Sequence, residues 1–312
     1  MSTIHGKASE DLDAVFADIE RFGLQAHLAH LEAYGYAVVE NLLPESTLLL
    51  AREVILDLAH RQTGIQPDLQ TGQGHDNWRL IPYLMTRHAV FQDILLNERL
   101  LALATYLVGR HCQLSSMSCH FKGMGRGGEI GLHTDTWMPP PLPRYCHVAT
   151  VNIAMVDYSR EGGALAVVPE SHKQARNPDR SESFLSGPQQ NTDAIPIEMS
   201  AGSMAVWHGN TWHGSYPRTI PGLRLNLSLY FSRPWMKVME RYAEHLPADV
   251  MQRHGANPHF RRLAGLDEIY GWTAEGPKYL DPKENVSIFP EDSQSAWQPQ
   301  LRVRHGSRGW HY

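Results

Sequence analysis

The 312-residue sequence predicts an α+β fold in which N-terminal helices brace a block of strands closed into a sandwich or barrel. Three observations predict it. Apolar residues recur at helical spacing through much of the first 110 positions, short strand-like runs separated by glycine and proline fill 112–231, and one such run alternates leucine with polar residues.

The stretch SEDLDAVFADIERFGLQAHLAHLEA (9–33) has helical periodicity, and AYGYAVVENLLPES after it reads as a short strand ended by a turn. STLLLAREVILDLAHRQ (46–62) predicts a second helix with Ser46 as N-cap, followed by a Gly/Gln/Asp-rich loop to Asp76. A third helical pattern, VFQDILLNERLLALATYLVG, closes on Gly109. The period then changes. CQLSSMSCHFK, YCHVATVNIAMVDY, GALAVVPE, SMAVWHG and LRLNLSLYFS read as strands. In the last, Leu223, Leu225, Leu227, Leu229 and Phe231 share one face while Arg224, Asn226, Ser228 and Tyr230 share the other. The leucine face is expected to pack on the helices, so the polar face looks at solvent or into a cavity. Beyond Pro234 the chain is polar but carries Trp235, Tyr242, Phe260, Tyr270, Trp272, Phe289, Trp297 and Trp310, which predicts an ordered extension rather than a disordered tail.

One elaborated domain, 1–312, is expected: helical support over 1–110, the strand core over 111–232 and the extension over 233–312. With 42% hydrophobic and 20% charged residues the chain reads as globular. A net charge of -5 without a long basic block argues against nucleic acid, whose binding draws on Lys and Arg. Cys112, Cys119 and Cys146 are an odd number without CxxC spacing, so no disulfide framework is expected. The polar, acidic N-terminus lacks the pattern of a signal peptide, and the longest apolar run, LLALATYLVG, is too short for a membrane span. A cytoplasmic protein is expected, monomeric or homodimeric, acting on a small molecule.

HTDTW (133–137) carries the chemistry. In extended backbone, side chains two apart point the same way, so His133 and Asp135 can turn toward one ion. A third ligand must come from elsewhere, and VWHGNTWHGSYP offers His208 and His213, each preceded by Trp and followed by Gly. Arg224 lies eleven residues beyond His213 on the polar face of the leucine-alternating strand, where its planar fork suits a carboxylate. Two His and one Asp beside an inward Arg match a facial triad with three open positions, as iron uses with a 2-oxo acid and O2.

These residues resemble the phytanoyl-CoA dioxygenase family of Fe(II)/2-oxoglutarate oxygenases, whose pattern is HxD, a segment leading to SHK, then a distal WHG histidine and an Arg about eleven residues on. His133 and Asp135 correspond to its HxD, EGGALAVVPESHK (161–173) to its SHK segment and WHGS (212–215) to its distal motif. The resemblance implies a double-stranded β-helix (jelly-roll), Fe(II) on His133, Asp135 and His213, and 2-oxoglutarate held by Arg224 with Ser215, O2 being the other co-substrate. It also implies a polar contact from Asn152 to the metal-bound end of the co-substrate. The reaction it implies is oxidation, hydroxylation first, of an unactivated C–H of a small organic molecule, in a setting such as secondary metabolism, releasing succinate and CO2. Related halogenating enzymes have Gly or Ala where Asp135 stands, so the intact carboxylate favours oxygen insertion. The chain departs from the family at Glu170, where Gly is usual, in the stiff Pro139 to Pro143 loop and in its C-terminal extension; these bear on the substrate.

Two rival functions share the ligands: a zinc hydrolase, for which no Glu is evidently placed as general base, and a non-catalytic 2-oxoglutarate-binding protein. GMGRGG (123–128) matches a dinucleotide fingerprint, but the proline-rich segment after it cannot open a helix, so a glycine loop at the cavity mouth is expected. His172 is expected to be structural. Trp137 is either core or substrate contact, Cys119 and His120 point to opposite strand faces, and Met117, His120 and Lys122 are expected to share one face, with surface exposure the ordinary fate of the lysine.

Overall fold

The computed structural model describes residues 4–73, 79–124, 128–267 and two short segments, 272–273 and 276–277. Helices α1 (Ile4–Arg21) and α2 (Gln25–Tyr34) lead to strand β1 (Tyr36–Val39), followed by α3 (Glu45–Thr63), β2 (Arg79–Ile81), α4 (Ala89–Leu95) and α5 (Glu98–Val108). The strand block follows as β3 (Gln113–Lys122), β4 (Ile130–His133), β5 (Val148–Ala154), β6 (Leu165–Val167), β7 (Ile195–Ile197), β8 (Met204–His208), β9 (His213–Ser215) and β10 (Arg224–Ser232). Helices α6 (Tyr242–His245), α7 (Ala248–His254) and α8 (Pro258–Leu263) come last, before the two-residue strands β11 (Trp272–Thr273) and β12 (Gly276–Pro277).

Alternation along β10 sets the architecture. Leu225, Leu227, Leu229 and Phe231 are all 0% exposed and join a core with residues of α3, α4 and α5. Each such side chain contributes about 1.5–3 kcal/mol by leaving water, so a one-residue slip, which would put Arg224 and Asn226 into that core instead, is excluded. Around β10 the larger sheet runs β1-β8-β5-β10-β3-β2, antiparallel throughout. The smaller sheet runs β4-β9-β6-β7 and faces the polar side of the larger: Ala205 and Trp207 of β8 cluster with Leu165, Val167 and Ile197. Two facing antiparallel sheets, helices outside one of them, make the double-stranded β-helix that the family resemblance implies.

Local chemistry divides the predicted helices. The expected single helix over 9–33 is two, because Gly23 takes a φ of 65° between α1 and α2. The third pattern is likewise split, Asn97 accepting from the Leu100 amide to cap α5 afresh. Ser46 is not an N-cap; α3 starts one residue earlier, at Glu45 after Pro44. Met117 corrects another expectation, since it lies in the helix-side core with Cys119 and Phe121, one pleat away from the face of His120 and Lys122. Of the extension, Tyr242, Phe260 and Leu263 are buried in the main core, and the buried Glu240 carboxylate accepts from the amides of Tyr83 and Met117 at 2.8 and 2.9 Å and from the Tyr242 hydroxyl. Tyr270, Phe289, Trp297 and Trp310 lie outside the described residues.

Candidate metal centre

His133 ends β4 and His213 begins β9, and the two are directly paired across the ladder with ring centroids 4.3 Å apart. Asp135 follows two residues beyond His133, so its carboxylate turns to the same side. One ligand atom from each of His133, Asp135 and His213 lies within 4.8 Å of the others, and among the described residues this is the one such group of three or more His, Cys, Asp or Glu. The donor set fits a divalent metal. Each histidine Nδ1 lies 2.9 Å from a backbone carbonyl two residues before it, Gly131 for His133 and Thr211 for His213. A carbonyl only accepts, so Nδ1 carries the proton and Nε2 presents its lone pair inward. His213 Nε2 and Asp135 Oδ2 then stand 3.5 Å apart as two acceptors with no proton to share. Burial pushes the His213 imidazole down to about 4, with Asp135 opposing and His133 reinforcing, which keeps it neutral for ligation.

The carboxylate is gripped from one cross-strand row. Thr150 Oγ1 and Trp207 Nε1 both donate to Asp135 Oδ2, at 2.7 and 3.1 Å, and Tyr230 donates its hydroxyl to the Asp135 carbonyl at 2.7 Å. The Asp135 and Thr136 amides donate to the Gly209 carbonyl at 2.8 and 3.2 Å. Gly209 has to be glycine, because a Cβ there would strike the Val148 side chain and lie 2.6 Å from its carbonyl oxygen.

Below the triad two cations face each other. Arg224 and Lys122 are direct partners on β10 and β3, exposed by 3% and 0%. Lys122 Nζ donates to Ser215 Oγ at 2.8 Å and to the Tyr216 carbonyl; Arg224 Nη1 donates to the Gly163 carbonyl at 2.6 Å, and its guanidinium lies over the Tyr158 ring at 5.4 Å. Among the described residues neither forms an ion pair with a carboxylate. Desolvation, with repulsion from Arg224, lowers Lys122 to about 7 against the pull of Glu129. Two buried charges so left are costly unless an anion joins them. Asn152 Oδ1 accepts from the Tyr158 hydroxyl at 3.1 Å, leaving its Nδ2 donors without a partner among the described residues.

Residues 31–224 match the family described as phytanoyl-CoA dioxygenase. The chain belongs to the phytanoyl-CoA dioxygenase family. Curated relatives in the same range of similarity include the Aspergillus fumigatus dioxygenase af480, 27% identical over 80% of this chain and 78% of that one, and the Stutzerimonas stutzeri ectoine dioxygenase, 25% identical over 80% and 91%. Among solved structures, HygX of Streptomyces hygroscopicus, crystallised with nickel and 2-oxoglutarate, covers 72% of this chain and 93% of its own, with 17% identity and a TM-score of 0.55. The carbocyclase SnoK from nogalamycin biosynthesis covers 67% and 84%, with 18% identity and a TM-score of 0.52. These two share the fold. This phytanoyl-CoA dioxygenase family member is an Fe(II)/2-oxoglutarate-dependent dioxygenase, with iron, 2-oxoglutarate and O2 as its cofactor and co-substrates.

Within this family member, the distal histidine of the triad is His213; His208 instead accepts from the Asn210 amide through Nδ1 at 3.0 Å. His172 is half-buried in a short 3-10 turn, its ring 5.7 Å from that of His208, and it is not among the residues that converge on the triad. Trp137 is not core: it is 87% exposed. Lys122 corrects the expectation of a surface lysine; its face, shared with His120, was readable from the β3 run, whereas its pairing with Arg224 was not. Trp207 and Thr150 were missed as partners of Asp135; no sequence signal links strands β5 and β8 to the HxD motif. Of the glycine loop, 125–127 lie outside the described residues, and the chain beyond it enters strand β4 rather than a helix.

Proposed function

We propose that this dioxygenase hydroxylates an unactivated C–H bond of a small organic molecule, in secondary metabolism, with His133, Asp135 and His213 as the iron ligands. The convergence of these three side chains above two unpaired buried cations carries the reading. Arg224 and Lys122 hold the far carboxylate of 2-oxoglutarate, where a fork and a point charge together offset the dianion. Ser215, already bonded to Lys122, adds a hydroxyl at the same end. Asn152, whose Oδ1 accepts from the Tyr158 hydroxyl, offers its Nδ2 donors to the keto-acid end. When bound, iron and 2-oxoglutarate supply the oxidising chemistry with O2, the co-substrate leaving as succinate and CO2. The chain's own task is to place the target C–H and exclude water. Asp135 fills the position a halide would need, which favours hydroxylation. The nogalamycin-pathway name of the neighbour SnoK supports a secondary-metabolic substrate.

A zinc hydrolase on the same ligands leaves Arg224 and Lys122 without an anion to hold, and no further acid or base joins the triad among the described residues. Anaerobic addition of Fe(II) and then 2-oxoglutarate is expected to produce a visible metal-to-ligand charge-transfer band, with one metal per chain. Asp135→Ala and His213→Ala should each remove it. A colourless wild-type complex, or an undiminished band in both variants, rejects the assignment.

A further inference from the structure

Tyr230, Thr150 and Trp207 occupy one register row on three adjacent strands, Tyr230 opposite Thr150 and Thr150 opposite Trp207. All three polar tips end on the same residue, Asp135. Two of the donors share a single oxygen: Thr150 Oγ1 and Trp207 Nε1 reach Oδ2 at 2.7 and 3.1 Å, while none of the described residues donates to Oδ1. A carboxylate oxygen has about two lone-pair directions, so Oδ2, although it also stands 3.5 Å from His213 Nε2, has both of them engaged by the sheet. The Trp207 ring also lies against the His213 ring, centroids 4.8 Å apart, tying both ligands to one side chain.

We infer that Thr150 and Trp207 are positioning residues that restrict Asp135 to one coordination position. The inference rests on the triad proposed above. Two donors on one oxygen fix the rotation of the carboxylate and oppose its spreading both oxygens over the ion, so three positions stay open for the two-point co-substrate and for O2. Without them the carboxylate turns to bind through both oxygens and takes a position that 2-oxoglutarate needs. A weakened hold on the co-substrate follows, with the metal itself retained.

The experiment uses full-length protein with Thr150→Val, which keeps the shape and deletes the hydroxyl, and Trp207→Phe, which keeps a ring on His213 and deletes the N–H. Ni(II) stoichiometry is measured first, then 2-oxoglutarate affinity on the Ni(II) form by calorimetry, and the charge-transfer band on the anaerobic Fe(II) form. Both variants are expected to bind one Ni(II), to lose about tenfold in 2-oxoglutarate affinity and to shift the band, while Thr150→Ser restores wild-type values. Wild-type affinity and band in both variants overturn the inference while leaving the triad standing, and so does a Thr150→Ser variant as impaired as Thr150→Val. Wild-type protein that binds no metal fails at the triad itself, which distinguishes the two.

Discussion

Lys122 illustrates how one side chain couples the site to pH. Its ammonium is charged below its pKa and neutral above it, and burial with the repulsion of Arg224 sets that pKa at about 7 in the absence of an anion. An anion binds the charged form, so binding raises the pKa, and affinity is greatest below about 7 and falls as pH rises through and beyond it. The dissociation constant of 2-oxoglutarate for the Ni(II) form is expected to rise up to about tenfold per pH unit above that point until the bound-state pKa is reached. Lys122→Met should lower affinity and flatten the profile between pH 6 and 9. A profile of unchanged slope in that variant assigns the titration elsewhere.

At the scale of the element, β10 is a divider with two unlike faces. Leu227→Ala empties space on the helix side, where Leu227 is 0% exposed, and is expected to cost about 2–5 kcal/mol in chemical denaturation. Since the cavity face is untouched, 2-oxoglutarate affinity at low temperature should stay near wild type. The same strand shows why part of the fold was legible. Its nine residues give enough alternation to read a period of two, whereas β4, β7 and β9 have four, three and three residues and carry no measurable period. HxD announced the type of chemistry from side-chain identity alone. Its convergence with His213 depends on β4 pairing with β9 across some 80 intervening positions, a non-local fact that local pattern cannot hold. Helix ends were misplaced for a related reason: Gly23 and Asn97 each interrupt an apolar stripe that continues on both sides, so the stripe reads through while the backbone does not.

For the whole molecule, the site and the stability are linked. Ligands that bind only the folded chain stabilise it by about 4 kcal/mol at a thousand times the dissociation constant. Thermal unfolding with Ni(II) and 2-oxoglutarate is therefore expected several degrees above that of the metal-free protein, and chelation should return it. Asp135→Ala should show no such rise; an equal rise would place the stabilising ions elsewhere. Among the described residues no helix is long and apolar enough to cross a membrane.

The cation pair stands at the start of β10, six residues before Tyr230, and Lys122 is bonded to Ser215, two residues past the ligand His213. Arg224 and Lys122 are sealed in, whereas Trp137, two residues past Asp135, stands almost wholly in water. An anion held by the cation pair, as proposed above, therefore lies deeper in the protein than the loop that follows Asp135. On that reading 2-oxoglutarate is expected to bind before the molecule to be oxidised and succinate to leave after the product, an order that product-inhibition patterns at steady state check: a random order would reject it.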